Sequence, residues 1–488
     1  MRDIVILSLF ALSLFGCMIG PNYRRPAVEI PPSWRFEEKE AGEVGNTAWW
    51  EQFDDPVLNE LIQSALKGNK DIKIAAARVE EFMGRYGTTR AALFPQVSAS
   101  ANASRSRSTV YTPAGTINPG DYLVLPSNPA NSFQVLLNAS WEIDLWGKLR
   151  RAAEASRADL LSTEEGRRAV VLTLLTSVAS AYVNLRDLDK QLEIAQRTTK
   201  SREESYRLFQ LRFRGGVISE LELSQVKSEY EQALSTIPFI EKTIAQQENA
   251  LSVLLGRNPG PIPRGKKIDE FVLPAVPAGL PSDLLTNRPD IRQAEQDLMA
   301  ANARIGVARS LYFPTISLTG LFGFASTDLS NLFSGPAKTW SWAAPLTAPV
   351  FTGGAIRGQV KSAEAVQQQA LLRYQQVIQT GFREVEDALI DQERSREQLE
   401  IQARQVESLR SYARFARLRF DNGYTSYIEV LDAERSLFNA ELSQAQTKGV
   451  LFQALVNLYK AMGGGWVIEA DRMTDAQTEA NTFTHLSK

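Results

Sequence analysis

The sequence predicts a mainly helical protein that also carries a transmembrane β-sheet and consists of two copies of one structural unit. The duplication appears as short matches at a constant separation: Leu211-Arg212-Phe213 recurs as Leu418-Arg419-Phe420, 207 residues later. An earlier part of the unit repeats 219 residues later, where Phe94-Pro95 recurs as Phe313-Pro314. Each copy combines a long stretch of coiled-coil pattern with short stretches of alternating apolar and polar residues. The fold is therefore predicted one copy at a time.

The coiled-coil pattern of the first copy covers residues 149–256 and turns over at Gly215 and Gly216. Apolar residues recur there at spacings of three and four, which places one apolar stripe along each helix. The stripe consists of Val171, Leu174, Val178, Ala181, Leu185, Leu188, Leu192 and Ala195 on the first arm and of Leu223, Val226, Tyr230, Ala233, Ile237, Ile240 and Ile244 on the second. Because the first arm alone would be about 100 Å long as one helix, we expect an elongated molecule.

Four stretches alternate with a period of two and predict β-strands. Their apolar positions are Val97, Ala99, Ala101 and Ala103; Phe133, Val135, Leu137, Ala139 and Trp141; Ile316, Leu318, Gly320 and Phe322; and Trp340, Trp342, Ala344 and Leu346. Small polar residues occupy the other face, and each strand is about ten residues long, which is enough to span a bilayer. The alternative, a soluble sheet, would need a cover for its apolar face, whereas the predicted helices are long and polar.

Four strands are too few to close a barrel, and an open sheet edge in lipid leaves backbone groups unpaired. We therefore expect the chain to combine with copies of itself, so that two copies would supply about 8 strands and three copies about 12. A lumen lined by Ser, Thr, Asn and Gln suits water and favours the larger barrel.

The chain divides into six predicted segments. They are a signal peptide (1–16), an extended arm rich in Pro and Trp that lies on a surface (17–55), a first repeat (56–258), a connector (259–282), a second repeat (283–465) and a polar tail (466–488). Each repeat should contain a helix, a β-hairpin (about 96–145 and 315–350) and a long helical hairpin. Asp55-Pro56 starts the first helix, which is predicted to run unbroken to about residue 93. Residues 113–131 are predicted to form a loop.

The N-terminus has the pattern of an exported protein. The apolar run of residues 4–15 is too short to span a bilayer, which indicates a signal peptide. Leu14-Phe15-Gly16-Cys17 resembles the bacterial lipoprotein box, which implies that Cys17 receives a lipid and becomes the first residue of the mature protein. Met18 after the cysteine implies sorting to the outer membrane. The alternative is a secreted protein that loses Cys17 with its signal peptide.

The composition excludes most enzymatic chemistry. The only histidine is His485 and the only cysteine is Cys17, so a His-dependent triad, an intrachain disulfide and a zinc cluster are all excluded. The net charge is −2 and there is no basic run, which gives no indication of a nucleic-acid partner. We expect no enzymatic activity, no metal site and no cofactor except the covalent lipid on Cys17.

Several motifs resemble those of the TolC-like outer-membrane efflux proteins, and most closely their OprM-like lipoprotein branch. The motifs are residues 20–26, Trp49-Trp50, Phe53, Asp55-Pro56, the two Phe-Pro pairs, Asp144-Leu145-Trp146-Gly147, residues 287–291 and the repeated turns. This resemblance covers nearly all of the mature chain. It implies a homotrimer in which a 12-stranded barrel in the outer membrane continues into an α-helical tunnel through the periplasm.

The resemblance also implies a passive channel that forms the outermost part of a tripartite efflux pump. Its partners would be a periplasmic adaptor and an inner-membrane transporter, often of the resistance-nodulation-division type, which supplies the energy. In this family the helical turns meet the adaptor, which implies an adaptor-docking role for Gly216, Val217, Gly423 and Tyr424.

Three acidic residues, Glu222, Glu429 and Asp432, lie just after these turns, and the resemblance implies that they form the periplasmic gate. A position near a helix N-terminus is by itself a sufficient reason for a carboxylate. The functional alternative is that three chains form acidic rings, which attract cations and resist burial together. Some family members hold the gate closed with a tyrosine and an arginine, where this chain has Phe420 and Thr425.

Two other functions fit parts of the pattern. An exit duct for secreted proteins shares this architecture and would differ in its inner-membrane partner. A structural coiled-coil lipoprotein without a pore would conduct no ions, and it leaves the four alternating strands unexplained.

Overall fold

A computed structural model of the chain describes residues 18–35, 48–107, 109–113, 122–126, 129–273 and 281–464. The predicted signal peptide, Cys17 and the polar tail lie outside the described residues, as do parts of the predicted arm, loop and connector. The described residues form two compact units. The strand unit takes its residues from 1–25, 80–161 and 296–371, and the helix unit takes its residues from 26–79, 162–295 and 372–488.

Long helices dominate the described residues. The α-helices are α1 (Pro56–Gly68), α2 (Lys70–Ala91), α3 (Lys148–Arg214), α4 (Glu220–Leu254), α5 (Leu284–Asn287), α6 (Pro289–Ser310), α7 (Ala355–Asp421) and α8 (Tyr427–Ala461). The equivalent helices α3 and α7 both have 67 residues, and α4 and α8 both have 35. The predicted duplication and the two long helical hairpins are therefore present.

The predicted continuous helix of residues 57–93 is wrong at one point. It breaks at Asn69, whose extended backbone (ψ 136°) separates α1 from α2. The Asn69 side chain accepts hydrogen bonds from the backbone N–H groups of Asp71 and Ile72 and donates one to the Leu254 carbonyl at the end of α4. One amide thus caps the start of α2 and the end of α4, so that these two helices meet end to end.

The second copy makes the same junction with a different side chain. Arg288 stands at the position equivalent to Asn69, and its Nη1 donates to the Ala461 carbonyl at the end of α8 over 2.9 Å. Its Nε and Nη2 pair with the carboxylate of Asp290 in the first turn of α6. The junction is therefore required by the fold, and the chain satisfies it with an amide in one copy and a guanidinium in the other.

The larger antiparallel sheet of the strand unit has the predicted alternation. Its strands are β1 (Gln96–Ser106), β4 (Ala130–Ile143), β5 (Thr315–Ser326), β6 (Lys338–Ala343) and β7 (Leu346–Thr347), in the order β1-β4-β5-β6, with β7 also paired to β5. The register aligns the predicted apolar positions across the sheet: Ala99, Leu137, Phe322 and Trp340 form one row, and Val97, Ala139, Gly320 and Trp342 form another. The apolar face is therefore continuous across four strands.

Two details of the hairpins differ from the prediction. Part of the loop predicted for residues 113–131 is ordered as a two-stranded ladder, β2 (Thr109–Pro113) with β3 (Tyr122–Pro126), which extends the first hairpin. The fourth predicted strand is divided into β6 and β7 around Pro345. A proline has no N–H to donate to the ladder, which accounts for the interruption.

The arm lies on helices, as its tryptophans predict. Trp34 meets the ring of Phe382 edge-on, and Trp49 stacks on Tyr459 with 4.9 Å between ring centroids. Asp55 is fully buried and accepts hydrogen bonds from the Val57 N–H, which starts α1, and from the Tyr182 hydroxyl on α3. The predicted N-cap thus also attaches α1 to the long helix.

The first described residues of the chain are clamped in the strand unit. Arg151 at the start of α3 is buried, and its guanidinium donates to the carbonyl oxygens of Ile19 and Gly20 and to the Asn22 side chain. The Ile19 N–H donates to the Trp146 carbonyl over 3.0 Å, just beyond the end of β4. The chain that follows Cys17 is therefore held beside the end of a strand.

Helix α3 also contains a segment apolar enough to cross a membrane by length and composition. Its stripe residues Val171, Val178 and Leu185 are, however, fully buried in the helix unit. We therefore assign this segment to the helical core.

One buried carboxylate in that core forms no ion pair within the part of the chain that the structure describes. Asp187 on α3 lies against Gly449 of α8, where an added β carbon would be 3.0 Å from the Asp187 carboxyl carbon. Burial raises the pKa of Asp187 from 3.8 to about 6, against the opposing hydrogen bond from Gln191. The missing side chain at Gly449 makes room for this carboxyl group.

We predict that Gly256→Ala destabilises the protein more than Gly216→Ala. Both glycines have a left-handed backbone (φ 73° and 69°), so each substitution costs about 1–2 kcal/mol of backbone strain. A β carbon at Gly256 would also lie 2.1 Å from the Gly68 carbonyl oxygen, whereas a β carbon at Gly216 would have no neighbouring atom within 4 Å. The free energies of unfolding of the two variants, obtained from thermal unfolding, should therefore differ by about 1–3 kcal/mol. Equal losses would contradict the packed junction between α4 and α1.

We predict that Asp187→Asn stabilises the protein at pH 8 and has little effect near pH 4. The folded protein holds the Asp187 proton more tightly than the unfolded chain does. The contribution of Asp187 to the free energy of unfolding is therefore most favourable below pH 4 and falls as the pH rises to about 6. Above pH 6 the ionised Asp187 lowers the free energy of unfolding by about 3 kcal/mol. Melting temperatures measured between pH 4 and pH 8 test this, with the exposed Glu203→Gln as control. A gain that does not depend on pH would contradict the buried charge.

Candidate functional site

The two turns of the helical hairpins have the same backbone structure. In the first, the N–H of Gly216 donates to the Phe213 carbonyl and the N–H of Val217 donates to the Arg212 carbonyl. In the second, Gly423 and Tyr424 make the same two bonds to Phe420 and Arg419. This pair of bonds with a left-handed glycine is the Schellman motif. Gly216 and Gly423 are therefore needed to end α3 and α7, whatever further role they have.

Both turns expose large apolar side chains at equivalent positions. Val217 is 74% exposed and its equivalent Tyr424 is 77% exposed. Two further pairs share this property: Leu211 with Leu418, and Leu221 with Ile428. Six exposed apolar side chains at repeat-related positions form a surface of the kind that partner proteins use.

The three predicted gate residues differ in their surroundings. Glu222 and Glu429 both occupy the third position of their helices, as the repeat predicts. The Glu222 carboxylate accepts hydrogen bonds from the N–H and hydroxyl of Ser219, which makes a capping box at the start of α4. The Glu222 carboxylate is thus used in capping the start of α4.

Glu429 makes no capping box. Its carboxylate accepts hydrogen bonds from the Thr425 hydroxyl and from Arg419 Nη1, the latter over 3.3 Å. Because Arg419 lies in the last turn of α7, this pair ties the end of α7 to the start of α8. Asp432 is paired with Arg435 over 2.7 Å, and both side chains are about half exposed.

Glu429 and Asp432 line one groove of about 470 Å³ between the first and second hairpins. Gln225, which is the repeat equivalent of Asp432, lines the same groove, and so do Glu229 and Arg435. Three carboxylates and one guanidinium therefore line this groove, here called the acidic groove, and two of the carboxylates, Glu429 and Glu229, also pair with Arg419 and Arg202. Glu222 does not line it.

Phe420 and Thr425 stand where some family members have a tyrosine and an arginine. Thr425 donates to Glu429, whereas Phe420 lies among aromatic rings. Phe420 packs on Phe209 of α3 and on Tyr427, at ring-centroid distances of 6.2 and 4.8 Å. Arg212 lies over the rings of both Phe209 and Phe420. Arg417 lies over the Tyr427 ring, so in this chain the contact between the turns is an aromatic cluster with two cations on it.

An ionic network behind the turns was not predicted from the sequence. Arg202 of α3 is 4% exposed, donates to the Glu229 carbonyl of α4 and pairs with the Glu229 carboxylate over 3.0 Å. Arg417 of α7 donates to the Tyr427 and Ser205 hydroxyl oxygens, and Glu434 lies 3.9 Å away. Burial raises the pKa of Glu434, although Arg417 and Arg202 oppose the rise.

The sequence contains a signal for this network. If the spacings of three and four are continued beyond Ala195, the next stripe positions are Thr199 and Arg202, both of which are buried. A charged residue at a core position of a coiled coil specifies how the helices pair, at some cost in stability. The stripe is therefore interrupted by polar residues at Thr199 and Arg202 and becomes apolar again at Tyr206 and Phe209, next to the turns.

An open antiparallel sheet with a continuous apolar face, together with two long helical hairpins, defines a membrane channel protein. Comparisons with known proteins agree with this class. The model of the family described as "Outer membrane efflux protein" matches residues 61–257 and 280–464, so the match covers both repeats.

Relatives match over almost their whole length. The solvent efflux pump outer membrane protein SrpC of Pseudomonas putida is 36% identical over 471 residues, which is 95% of this chain and 98% of SrpC. The cation efflux system protein CusC of Escherichia coli O6:H1 is 36% identical over 462 residues, which is 93% of this chain and 97% of CusC. The crystal structure of the Campylobacter jejuni CmeC outer membrane channel superposes with a TM-score of 0.85 at 28% identity, covering 94% of this chain and 98% of CmeC.

The chain belongs to the outer membrane efflux protein family, and the predicted resemblance and fold class are confirmed. It is the outer-membrane component of an efflux pump and has the TolC-like channel fold. Members of this family are passive channels, so the protein is not an enzyme.

Proposed function

We propose that three copies of this chain form a passive efflux channel, with a 12-stranded barrel in the outer membrane and a gate at the helical turns. The observation that carries the proposal is the sheet. Its apolar rows run across four strands in register, and its edge strands β1, β6 and β7 have no further partner among the described residues. In lipid such edges are unstable, and copies of the same chain would remove them.

The channel is anchored by a lipid on Cys17. The clamp of Arg151 on residues 19–22 supports this part of the proposal, because it holds the chain beside the end of β4. A diacylglyceryl group a few residues earlier would then enter the leaflet next to the barrel. The anchor and the barrel would act at the same membrane surface.

The turns dock a periplasmic adaptor, which connects the channel to an inner-membrane transporter of the resistance-nodulation-division type. The six exposed apolar side chains around Gly216 and Gly423 support docking, since both turns present them at the same positions. Three chains would offer six such turns in a ring.

Selection of the cargo lies in the other pump components. The relatives named for solvent efflux and for cation efflux are each 36% identical to this chain. Because channels of equal similarity carry such different names, we assign to this channel the role of a general exit duct.

The gate is held by Glu429 and Asp432, and Glu222 contributes chiefly by capping α4. The Glu429–Arg419 pair joins α7 to α8 at the turn, and Asp432 with Arg435 lines the acidic groove beside it. Exposed pairs of this kind contribute about 0.2–1 kcal/mol each. Asp432 also orients Arg435, which lies 3.9 Å from the Glu229 carboxylate of α4, so losing both acids would weaken the contact between the two hairpins without unfolding the helices.

We predict that Glu429→Gln with Asp432→Asn increases the open fraction of the channel roughly two- to tenfold, as expected for about 1 kcal/mol. The substitutions also remove two negative charges and leave Arg419 without its carboxylate partner, so the preference for cations should fall. Conductance and ion selectivity in planar bilayers measure both effects.

The matched control for the gate is Glu203→Gln. Glu203 forms an exposed pair with Arg207 on α3, away from the turns and the groove. Its loss should change neither conductance nor selectivity. If the double variant behaves like this control, the acidic gate is wrong, whereas a wild-type protein that conducts no ions would refute the channel.

We predict that Cys17→Ser abolishes incorporation of radioactive palmitate during growth. The wild-type protein should incorporate the label and fractionate with the outer membrane. Arg151→Met serves as the control, because it removes the clamp and keeps the thiol, and it should still be labelled. A Cys17→Ser protein that takes up label would contradict the assigned lipid site.

A further inference from the structure

We infer the register of the seam between neighbouring chains: β6 and β7 of one copy pair antiparallel with β1 of the next, so that Leu346 lies opposite Ala101 and Val350 lies opposite Val97. This inference rests on the proposed trimeric barrel and adds the residue pairs that close it. It follows from the internal repeat, because the seam within each chain and the seam between chains are made by equivalent strands.

The repeat preserves strand register without error. In the first hairpin, β1 and β4 pair at positions whose residue numbers add to 236, as in Gln96 with Ser140. In the second hairpin β5 is the equivalent of β1, shifted by 219, and β6 with β7 is the equivalent of β4, shifted by 207, so paired residue numbers should add to 662. The observed pairs of β5 with β6 and with β7 do add to 662, as in Ile316 with Leu346. The two shifts read from the sequence therefore transfer a pairing from one copy to the other.

The seam inside the chain is the pairing of β4 with β5, at positions that add to 459, as in Ile143 with Ile316 and Ala139 with Gly320. Its equivalent between chains is β6 and β7 with β1. Adding 207 to the first member and subtracting 219 from the second gives a sum of 447. Ile143 with Ile316 becomes Val350 with Val97, and Ala139 with Gly320 becomes Leu346 with Ala101.

The exposed surfaces on these elements agree with a missing neighbour. All eleven residues of β1 are exposed, whereas most of the equivalent residues in β5 are partly buried between β4 and β6. Val350 and Phe351 are 99% and 91% exposed, and Val97 is 69% exposed. The equivalent of Val350 is Ile143, which is partly covered at the seam inside the chain.

The corner after the seam strand changes chemistry between the copies. In the first copy Asp144 accepts hydrogen bonds from the N–H groups of Leu149 and Arg150 at the start of α3. In the second copy the equivalent residue is Phe351, which can cap nothing. An apolar side chain at this corner is expected if another chain or lipid covers it.

Helix contacts beside the sheet show the same asymmetry. A β carbon on Gly306 of α6 would lie 2.9 Å from the Arg151 side chain of α3, so these helices touch within the chain. The equivalent residues are Gly87 of α2 and Gly358 of α7. A β carbon added to either glycine would have no neighbouring atom within 4 Å. In the assembly, α2 of one chain would meet α7 of the next as α6 meets α3.

Pairs of introduced cysteines test the register directly. Leu346→Cys with Ala101→Cys should form a disulfide, because directly opposed residues have Cα atoms about 4.5–5.5 Å apart. Leu346→Cys with Ala99→Cys or with Ala103→Cys should not, since diagonal neighbours are about 7–8 Å apart. Within one chain β1 and β7 are three strand spacings, about 14 Å, apart, so any disulfide must join two chains.

The protein is oxidised in isolated outer membranes and run on non-reducing gels, with the unsubstituted chain as control. We expect the 346/101 pair to give a covalent trimer that reduction returns to monomer, and the two displaced pairs to stay monomeric. Cross-linking that is most efficient at 346/99 or 346/103 would overturn the proposed register. So would the absence of cross-linking at all three pairs in a preparation that still conducts ions. A preparation that neither cross-links nor conducts would instead count against the proposed channel.

Discussion

The structure depends on one requirement, the pairing of backbone hydrogen-bonding groups in a medium without water. The sheet order β1-β4-β5-β6 leaves β1 at one edge and β6 at the other, and each edge presents N–H and carbonyl groups without a partner in the described chain. Each such group costs several kcal/mol in hydrocarbon. The apolar rows across the sheet would favour lipid, but only a closed ring of strands can enter it. The proposed trimer is the arrangement that completes these edges.

The helix unit contains the two long helical hairpins, and the residues that hold these hairpins together change along α3. Far from the turns the stripe of α3 is fully apolar, with Val171 and Val178 completely buried. Arg202 interrupts this stripe with an ion pair, and the turns beyond it are held by capping bonds, a buried cluster that includes Phe209 and Val430, and exposed ion pairs. The core along this helix is thus interrupted by polar contacts and becomes apolar again beside the turns.

Much of this architecture could be predicted because period and repetition are properties of the sequence itself. The alternation in β1, β4 and β5 fixes which side chains share a face, and the repeat predicts equal lengths for α3 and α7. The break at Asn69 was missed because its stripe residues continue with helical period on both sides, although Gly68-Asn69 is a recognisable stop followed by a cap. The β2–β3 ladder was missed because Gly, Pro and Asn around it indicate a loop.

The residues proposed for the gate show that equivalent positions in the two repeats need not have equivalent side-chain partners. Glu222 and Glu429 occupy the same helix position, yet one completes a capping box and the other pairs with Arg419. The difference arises from neighbours, since Arg419 and Thr425 each donate to one oxygen of the Glu429 carboxylate, whereas Ser219 donates to Glu222. Likewise the buried Glu434 has no distinctive sequence pattern, because its surroundings come from Arg417 and Arg202 on two other helices.

The most direct test of the account is the protein mass of the assembly in mild detergent, measured by light scattering with the detergent contribution subtracted. The account predicts three mature chains per particle, because three copies supply the twelve strands that leave no edge. A stable particle containing a single chain would mean that the sheet tolerates its open edges, and it would contradict the closed barrel on which the channel depends.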